Sequence, residues 1–225
     1  MLKDIAISVI QLLPSQIQCK IRSYRSRVFK KPIIMNWEKA GRPIPPPNQV
    51  KQSVVEYYQS ITNYSILIET GTFLGDMVEA QRKNFRRIFS IELSEKLWRN
   101  AKKRFSKYTH IQIIHGDSGK VLGDITNQLE EPAVFWLDAH YDAGVTAKGD
   151  TECPIFQELD AILTNKQINH VILIDDARSF NGQGDYPEIT KLIEYVKSKD
   201  QAYEVLILDD IIRFVINKTI SGQSK

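Results

Sequence analysis

Several things are scarce in this chain of 225 residues, and each scarcity closes off a class of protein. It has two cysteines, Cys19 and Cys153, which make neither a disulfide framework nor a paired-cysteine zinc motif. The apolar stretch near the start, Ile5–Leu13, stops at Pro14, far short of the ~20 residues that span a bilayer. No small-residue cleavage site follows it, and Gln18 before Cys19 spoils a lipoprotein-type one. These features predict a reducing, cytoplasmic setting. The net charge of +3 is too small an excess to argue for a nucleic-acid partner. Internal repeats and low-complexity tracts are also lacking. What is there is ordinary: 42% hydrophobic and 25% charged residues, at a length that suits one α/β domain with an N-terminal extension.

The charge is unevenly spread. Residues 1–31 hold seven bases against one acid, Asp4, so the remainder of the chain is net acidic. An apolar stretch followed by a basic one would let residues 1–31 rest on an anionic membrane surface, a peripheral contact. The alternative is a helix packed on its own domain or on a second subunit of a homo-oligomer. The segment GRPIPPPNQ (Gly41–Gln49) reads as a linker, because its prolines favour extended backbone and cannot donate hydrogen bonds. The boundary is therefore set at 1–50 for the extension and 51–225 for the domain.

Beyond the linker, strand-like and helix-like patterns alternate. The strand-like runs are 64–69, 86–92, 110–115, 133–138 and 170–175; the helix-like stretches are roughly 76–84, 94–107, 118–130, 153–165 and 187–198. In the second of these, Leu97, Ala101 and Phe105 recur every four residues and leave Lys96, Arg99, Lys103 and Arg104 to solvent. Such alternation predicts a parallel sheet covered by helices on both faces. The ending differs. YEVLIL (203–208) and IIRFVIN (211–217) are separated only by Asp209 and Asp210, a connection short enough to force an antiparallel hairpin.

Three acids close apolar runs: Asp138 after AVFWL, and Asp175 with Asp176 after HVILI. Parallel strand ends converge on one edge of a sheet, so carboxylates 37 residues apart in sequence can meet. Once together they repel unless a cation or shared protons neutralise them, and a hard dication such as Mg²⁺ takes oxygen ligands of this kind. For each Asp alone, capping of the next helix is the alternative.

Between the first strand and first helix lies E-T-G-T-F-L-G (Glu69–Gly75). Glycine lets the backbone turn sharply and come close to a ligand, although two glycines four apart are a weak signal alone. Phe73 stands where a dinucleotide fingerprint would need glycine. Glu92, 17 residues beyond Gly75, ends the second strand, where a carboxylate can accept from both ribose hydroxyls. The third strand ends in H-G-D-S (His115–Ser118), where Asp117 can cap the helix that follows.

Taken with the closing hairpin, the loop resembles the E-x-G-x-[Phe/Tyr]-x-G first motif of S-adenosylmethionine (SAM)-dependent O-methyltransferases, matched at Glu69, Gly71, Phe73 and Gly75. The resemblance implies the class I methyltransferase fold, Rossmann-like, with a mostly parallel seven-stranded sheet and a C-terminal antiparallel hairpin. It implies SAM as cofactor, held by Glu69, Gly71, Thr72, Phe73, Gly75, Glu92, Asp117 and Ser118. The metal-dependent members of the catechol and macrolide-sugar types place one Asp after the fourth strand and an acidic pair after the fifth. Asp138, Asp175 and Asp176 fall on those positions, which implies Mg²⁺. His140 is the expected base, with Lys148 as its competitor, and Arg178 would contact an anionic acceptor or neutralise the carboxylates. The implied acceptor is a hydroxyl of a sugar, glycan precursor or secondary metabolite. Two alternatives stand beside this: a SAM-binding module without catalysis, and an arginase-type metal hydrolase suggested by D-A-H-Y-D (Asp138–Asp142).

Overall fold

The computed structural model describes residues 28–138, 153–164 and 168–216. Two helices come first, α1 (Lys30–Lys39) and α2 (Asn48–Thr62). Strand and helix then alternate through β1 (Ile66–Thr70), α3 (Asp76–Gln81), β2 (Arg87–Glu92), α4 (Glu95–Phe105), β3 (Ile111–His115), α5 (Ser118–Thr126) and β4 (Ala133–Leu137). The chain continues with α6 (Ile155–Leu163), β5 (Val171–Ile174), a short 3₁₀ turn (Ala177–Ser179), α7 (Ile189–Lys199), β6 (Tyr203–Leu208) and β7 (Ile211–Ile216). The seven strands form one sheet in the order β3-β2-β1-β4-β5-β7-β6. β1 to β5 pair in parallel, and β7 is antiparallel to both β5 and β6.

β4 and β5 are unbroken apolar runs, and β1 is apolar up to Glu69, because both faces of these strands are covered. Ile66 and Ile68 of β1 face a core shared with Leu122, Leu159 and Leu192 on α5, α6 and α7. Leu67, between them, faces the opposite core with Val55, Val78 and Phe105 on α2, α3 and α4. Each fully buried side chain of this size contributes ~1.5–3 kcal/mol, so burial on two faces is what holds these strands in register.

The strand order reverses at β1, which has β2 on one side and β4 on the other. At such a point the following loops part and leave a crevice at the carboxyl edge of the sheet. The hairpin between β6 and β7 turns on Asp209 (φ 56) and Asp210 (φ 62), the two positive-φ residues that a two-residue turn of this twist requires.

The amino-terminal side holds more order than a linker reading implies. Val50, Val54, Val55 and Tyr58 are buried along one stripe of α2, so this helix is part of the domain and runs across position 50. The Pro-rich turn before it is pinned at two points. Trp37 donates to the Pro43 carbonyl at 2.8 Å, and Arg42 reaches Asp209 at 2.7 Å. Residues 1–27 lie outside the described residues, and with them most of the segment expected to meet a membrane. Among the described residues no helix is long and apolar enough to cross a membrane.

Candidate active site

The turn after β1 is tied down on every side. Gly71 and Thr72 donate to the Ile91 carbonyl at 2.9 and 3.1 Å, which folds the turn back over β2. Gly71 (φ 83) and Gly75 (φ 72) adopt left-handed backbone, and a Cβ on Gly75 would stand 2.6 Å from the Phe105 ring. Glu92 spends its two oxygens on this turn: Oε2 accepts the Phe73 N–H at 2.7 Å and Oε1 the Ser94 N–H at 2.9 Å. Phe73 is thereby held at φ 47 with its ring 41% exposed at the rim. Glu92 therefore latches the loop, and any ribose hydroxyl would have to share oxygens already in use.

Two glutamates of this region lie inside. Glu69 is 2% exposed and bonded to Ser90, which is itself 2.6 Å from Thr72. Burial pushes its carboxyl up to about 8, against the Ser90 hydrogen bond and with help from the charges of Glu92 and Asp76. A neutral Glu69 at the base of the turn is the result. Arg104, expected in solvent, is a correction: it is half-buried and donates to the Leu74 carbonyl and to Asp76 Oδ1 at 3.2 Å. Its long stem lets it lie along α4 while its head clamps the turn.

At the next strand end, Asp117 caps α5, accepting the Gly119 N–H at 3.0 Å. Ser118, 5% exposed, bonds instead to Glu158 of α6, as does Thr70 at the end of β1. Glu158 is 1% exposed, and its Oε1 is without a partner among the described residues. Burial pushes it up to about 7, with the two hydroxyls opposing.

The three carboxylates do meet. One oxygen from each of Asp138, Asp175 and Asp176 lies within 4.8 Å of the other two. Asp138 is placed by its N–H, which donates to the Thr70 carbonyl at 3.1 Å and so abuts the glycine turn. Adjacent strand residues point to opposite faces, and Asp175 and Asp176 escape that rule because Asp176 sits at φ 54, ψ 50. A left-handed residue there costs ~1–2 kcal/mol, and Asp tolerates it better than most. The Asp176 N–H then donates to Asp175 Oδ1 at 2.9 Å.

Two cations stand among these acids. Arg178 bonds Asp176 at 2.9 Å and Asp210 of the closing hairpin, so it neutralises carboxylates. Lys51 of α2 bonds Asp175 and lies 3.3 Å from Asp176. Burial acts to lower Lys51, but the charges of Asp175, Asp138 and Asp176 outweigh it and hold the ammonium above the usual lysine range. Asp138 is raised well above an ordinary aspartate by burial first and then by Asp175, against Lys51. Asp175, wholly buried, is pushed up to about 6 by its burial, again against Lys51. The donor set of three carboxylate oxygens fits a hard dication, with Lys51 as the cation these residues already hold.

Sequence reading found the glycine turn, Glu92 and the three aspartates. It missed Lys51, Arg104, Glu158 and Asp210. Only α2's apolar stripe was a usable signal for Lys51, since it shows a helix that belongs to the domain. His140 and Lys148 lie outside the described residues.

No family model and no curated protein sequence matches this chain. Solved structures do resemble it. The O-methyltransferase from Bacillus cereus in complex with SAH is 14% identical; the match covers 87% of this chain and 97% of that one, with a TM-score of 0.55. The SAH-bound methyltransferase PaMTH1 of Podospora anserina is 13% identical, over 95% of this chain and 94% of that one, with a TM-score of 0.52. At these identities the likeness is one of fold. With its strand order and its closing hairpin, the chain has the Rossmann-like fold of class I SAM-dependent methyltransferases.

Proposed function

We propose that this protein is a SAM-dependent O-methyltransferase that acts, with Mg²⁺, on a hydroxyl of a sugar, glycan precursor or secondary metabolite. The observation that carries the proposal is the meeting of Asp138, Asp175 and Asp176 beside the turn that Glu92 latches. SAM supplies the activated methyl group. Mg²⁺ held by the three aspartates would lower the pKa of an acceptor hydroxyl and fix its position. The chain's own part is placement. The 69–75 turn, stiffened by Glu92 and Arg104, gives the nucleoside end a preformed wall and so reduces the ordering cost of binding. The Asp138 N–H on Thr70 fixes how far the acceptor side stands from that wall. His140, two residues past Asp138, is the base we assign. The strand order and closing hairpin favour methyl transfer over an arginase-type hydrolase.

The test is a calorimetric titration with SAH, followed by transfer of labelled methyl from SAM to a panel of hydroxylated acceptors with Mg²⁺ or with chelator. Binding of SAH and chelator-sensitive transfer are the expected results. A chain that fails to bind SAH at millimolar concentration is not a methyltransferase.

A further inference from the structure

The acidic cluster is met by a lysine on an element that has no strand of its own. Lys51 is on α2, ahead of the sheet, and its side chain is only 14% exposed. The helix that carries it is fixed. Gln52, its neighbour, donates to the Asp76 carbonyl at 3.3 Å, and the Gln52 carbonyl accepts from Gln81 at 2.9 Å. Val54 and Val55 anchor the next turn in the core. What can move is the lysine's flexible four-carbon stem, whose ammonium makes no directional demand comparable to a guanidinium fork.

Lys51 engages oxygens on two of the three acids that would hold a metal. Asp175 has one oxygen on the Asp176 N–H and the other on Lys51. Asp176 Oδ1 is shared between Lys51 and Arg178. A dication sits ~2.0–2.1 Å from each ligand oxygen, and oxygens within 4.8 Å of one another can close on one such ion. An ammonium bonded to two of the three acids stands in that same space, and two cations cannot share it. Here a single ammonium serves two carboxylates directly and a third through its charge, while Arg178 is divided between Asp176 and Asp210.

We propose that Lys51 is a built-in competitor for the metal position: its ammonium holds the three aspartates together in the absence of a dication and is displaced when one binds. The inference rests on the metal-assisted reading above. Lys51 is thus a positioning residue that sets the affinity of the site for metal and keeps the carboxylates gathered until metal arrives.

The experiment uses the full chain with Mn²⁺ as probe and neither SAM nor acceptor. Calorimetry on the parent, Lys51→Met and Lys51→Gln should show both variants binding Mn²⁺ at least tenfold more tightly than the parent. With chelator the variants should melt at lower temperature than the parent, and Mn²⁺ should restore them. Equal Mn²⁺ affinity in all three proteins overturns the competition and leaves the metal site standing. If none of the three, all folded, binds Mn²⁺, the metal reading fails and the competition with it. A second measurement needs only the parent: Mn²⁺ should raise acetylation of Lys51 by acetic anhydride at least fivefold relative to the other lysines. Unchanged labelling of Lys51 in Mn²⁺-saturated protein overturns the displacement.

Discussion

Replacing Glu158 with glutamine should make this protein more resistant to alkaline pH, although the residue lies beneath the proposed nucleoside wall. In the folded chain the carboxyl is raised from an ordinary 4.5 to about 7 by burial, against hydrogen bonds from Ser118 and Thr70. The sign follows from proton counting. Between pH 4.5 and 7 the unfolded chain has released this proton and the folded chain retains it, so the unfolded state gains as pH rises. Below 4.5 both states are protonated and the effect vanishes. At 1.36 kcal/mol for each pH unit of the gap, the full loss approaches about 3 kcal/mol, most of which falls between pH 5 and 8. Glutamine keeps the shape and removes the ionisation. Its amide places a donor where Oε1 is without a partner among the described residues, a cost of ~1–3 kcal/mol that does not depend on pH. The absolute stability of Glu158→Gln is therefore not the readout; its change with pH is. Urea unfolding of parent and variant at pH 5 and 8 measures it, and Glu69 and every other titrating group cancel in the difference. The variant should gain about 2–3 kcal/mol on the parent across that interval. A difference that stays constant within ~0.5 kcal/mol would show that Glu158 is not buried as an acid, and the argument would fail.

Other substitutions probe the turn and the acidic cluster. Glu92→Ala removes the acceptor for the Phe73 and Ser94 N–H groups, charge-assisted bonds worth ~1.5–3 kcal/mol each, so SAH affinity measured by calorimetry should fall at least tenfold. Gly75→Ala forces a Cβ to 2.6 Å from Phe105 at φ +72, and urea unfolding should register a loss of ~1–3 kcal/mol. Asp138→Asn should leave SAH affinity within about twofold of the parent, since its carboxylate belongs to the acidic cluster and not to the glycine turn, while methyl transfer to any acceptor that the parent uses drops by at least 10²-fold.

What was legible in the sequence, and what was not, divides along one physical line. β4 and β5 announce themselves because a strand covered on both faces is apolar throughout, and α4 shows a four-residue stripe of Leu97, Ala101 and Phe105. The 209–210 turn is equally plain, because two residues leave no route but a hairpin. The aspartates follow, since acids at parallel strand ends share an edge wherever the strands are right. Lys51 does not follow. It reaches the site from a helix behind a proline-rich turn, and no periodicity tells that the one basic residue of that helix will swing over the sheet. Arg104 misleads for a related reason: by helical spacing it belongs to the wet face of α4, yet its length carries the guanidinium back to Leu74 and Asp76. Glu158 falls on the apolar face of α6, where its charge argues against burial; the hydroxyls of Ser118 and Thr70 that receive it come from two other elements. Contacts made by the far ends of long side chains are what a one-dimensional reading loses.

The closing hairpin sets an order on the chain's own assembly. β6 emerges before β7 during synthesis, yet it lies farther out in the sheet and pairs only with β7. Until β7 inserts, the outermost strand has no neighbour. Asp210, between the two, offers its carbonyl to the Ala177 N–H and its carboxylate to Arg178, so the backbone just past Asp176 gains its brace from the turn of the closing hairpin. A nascent chain still short of β7 has every acid of the cluster but lacks the strand that closes the sheet beside them; the cluster is braced only once residues 211–216 have emerged.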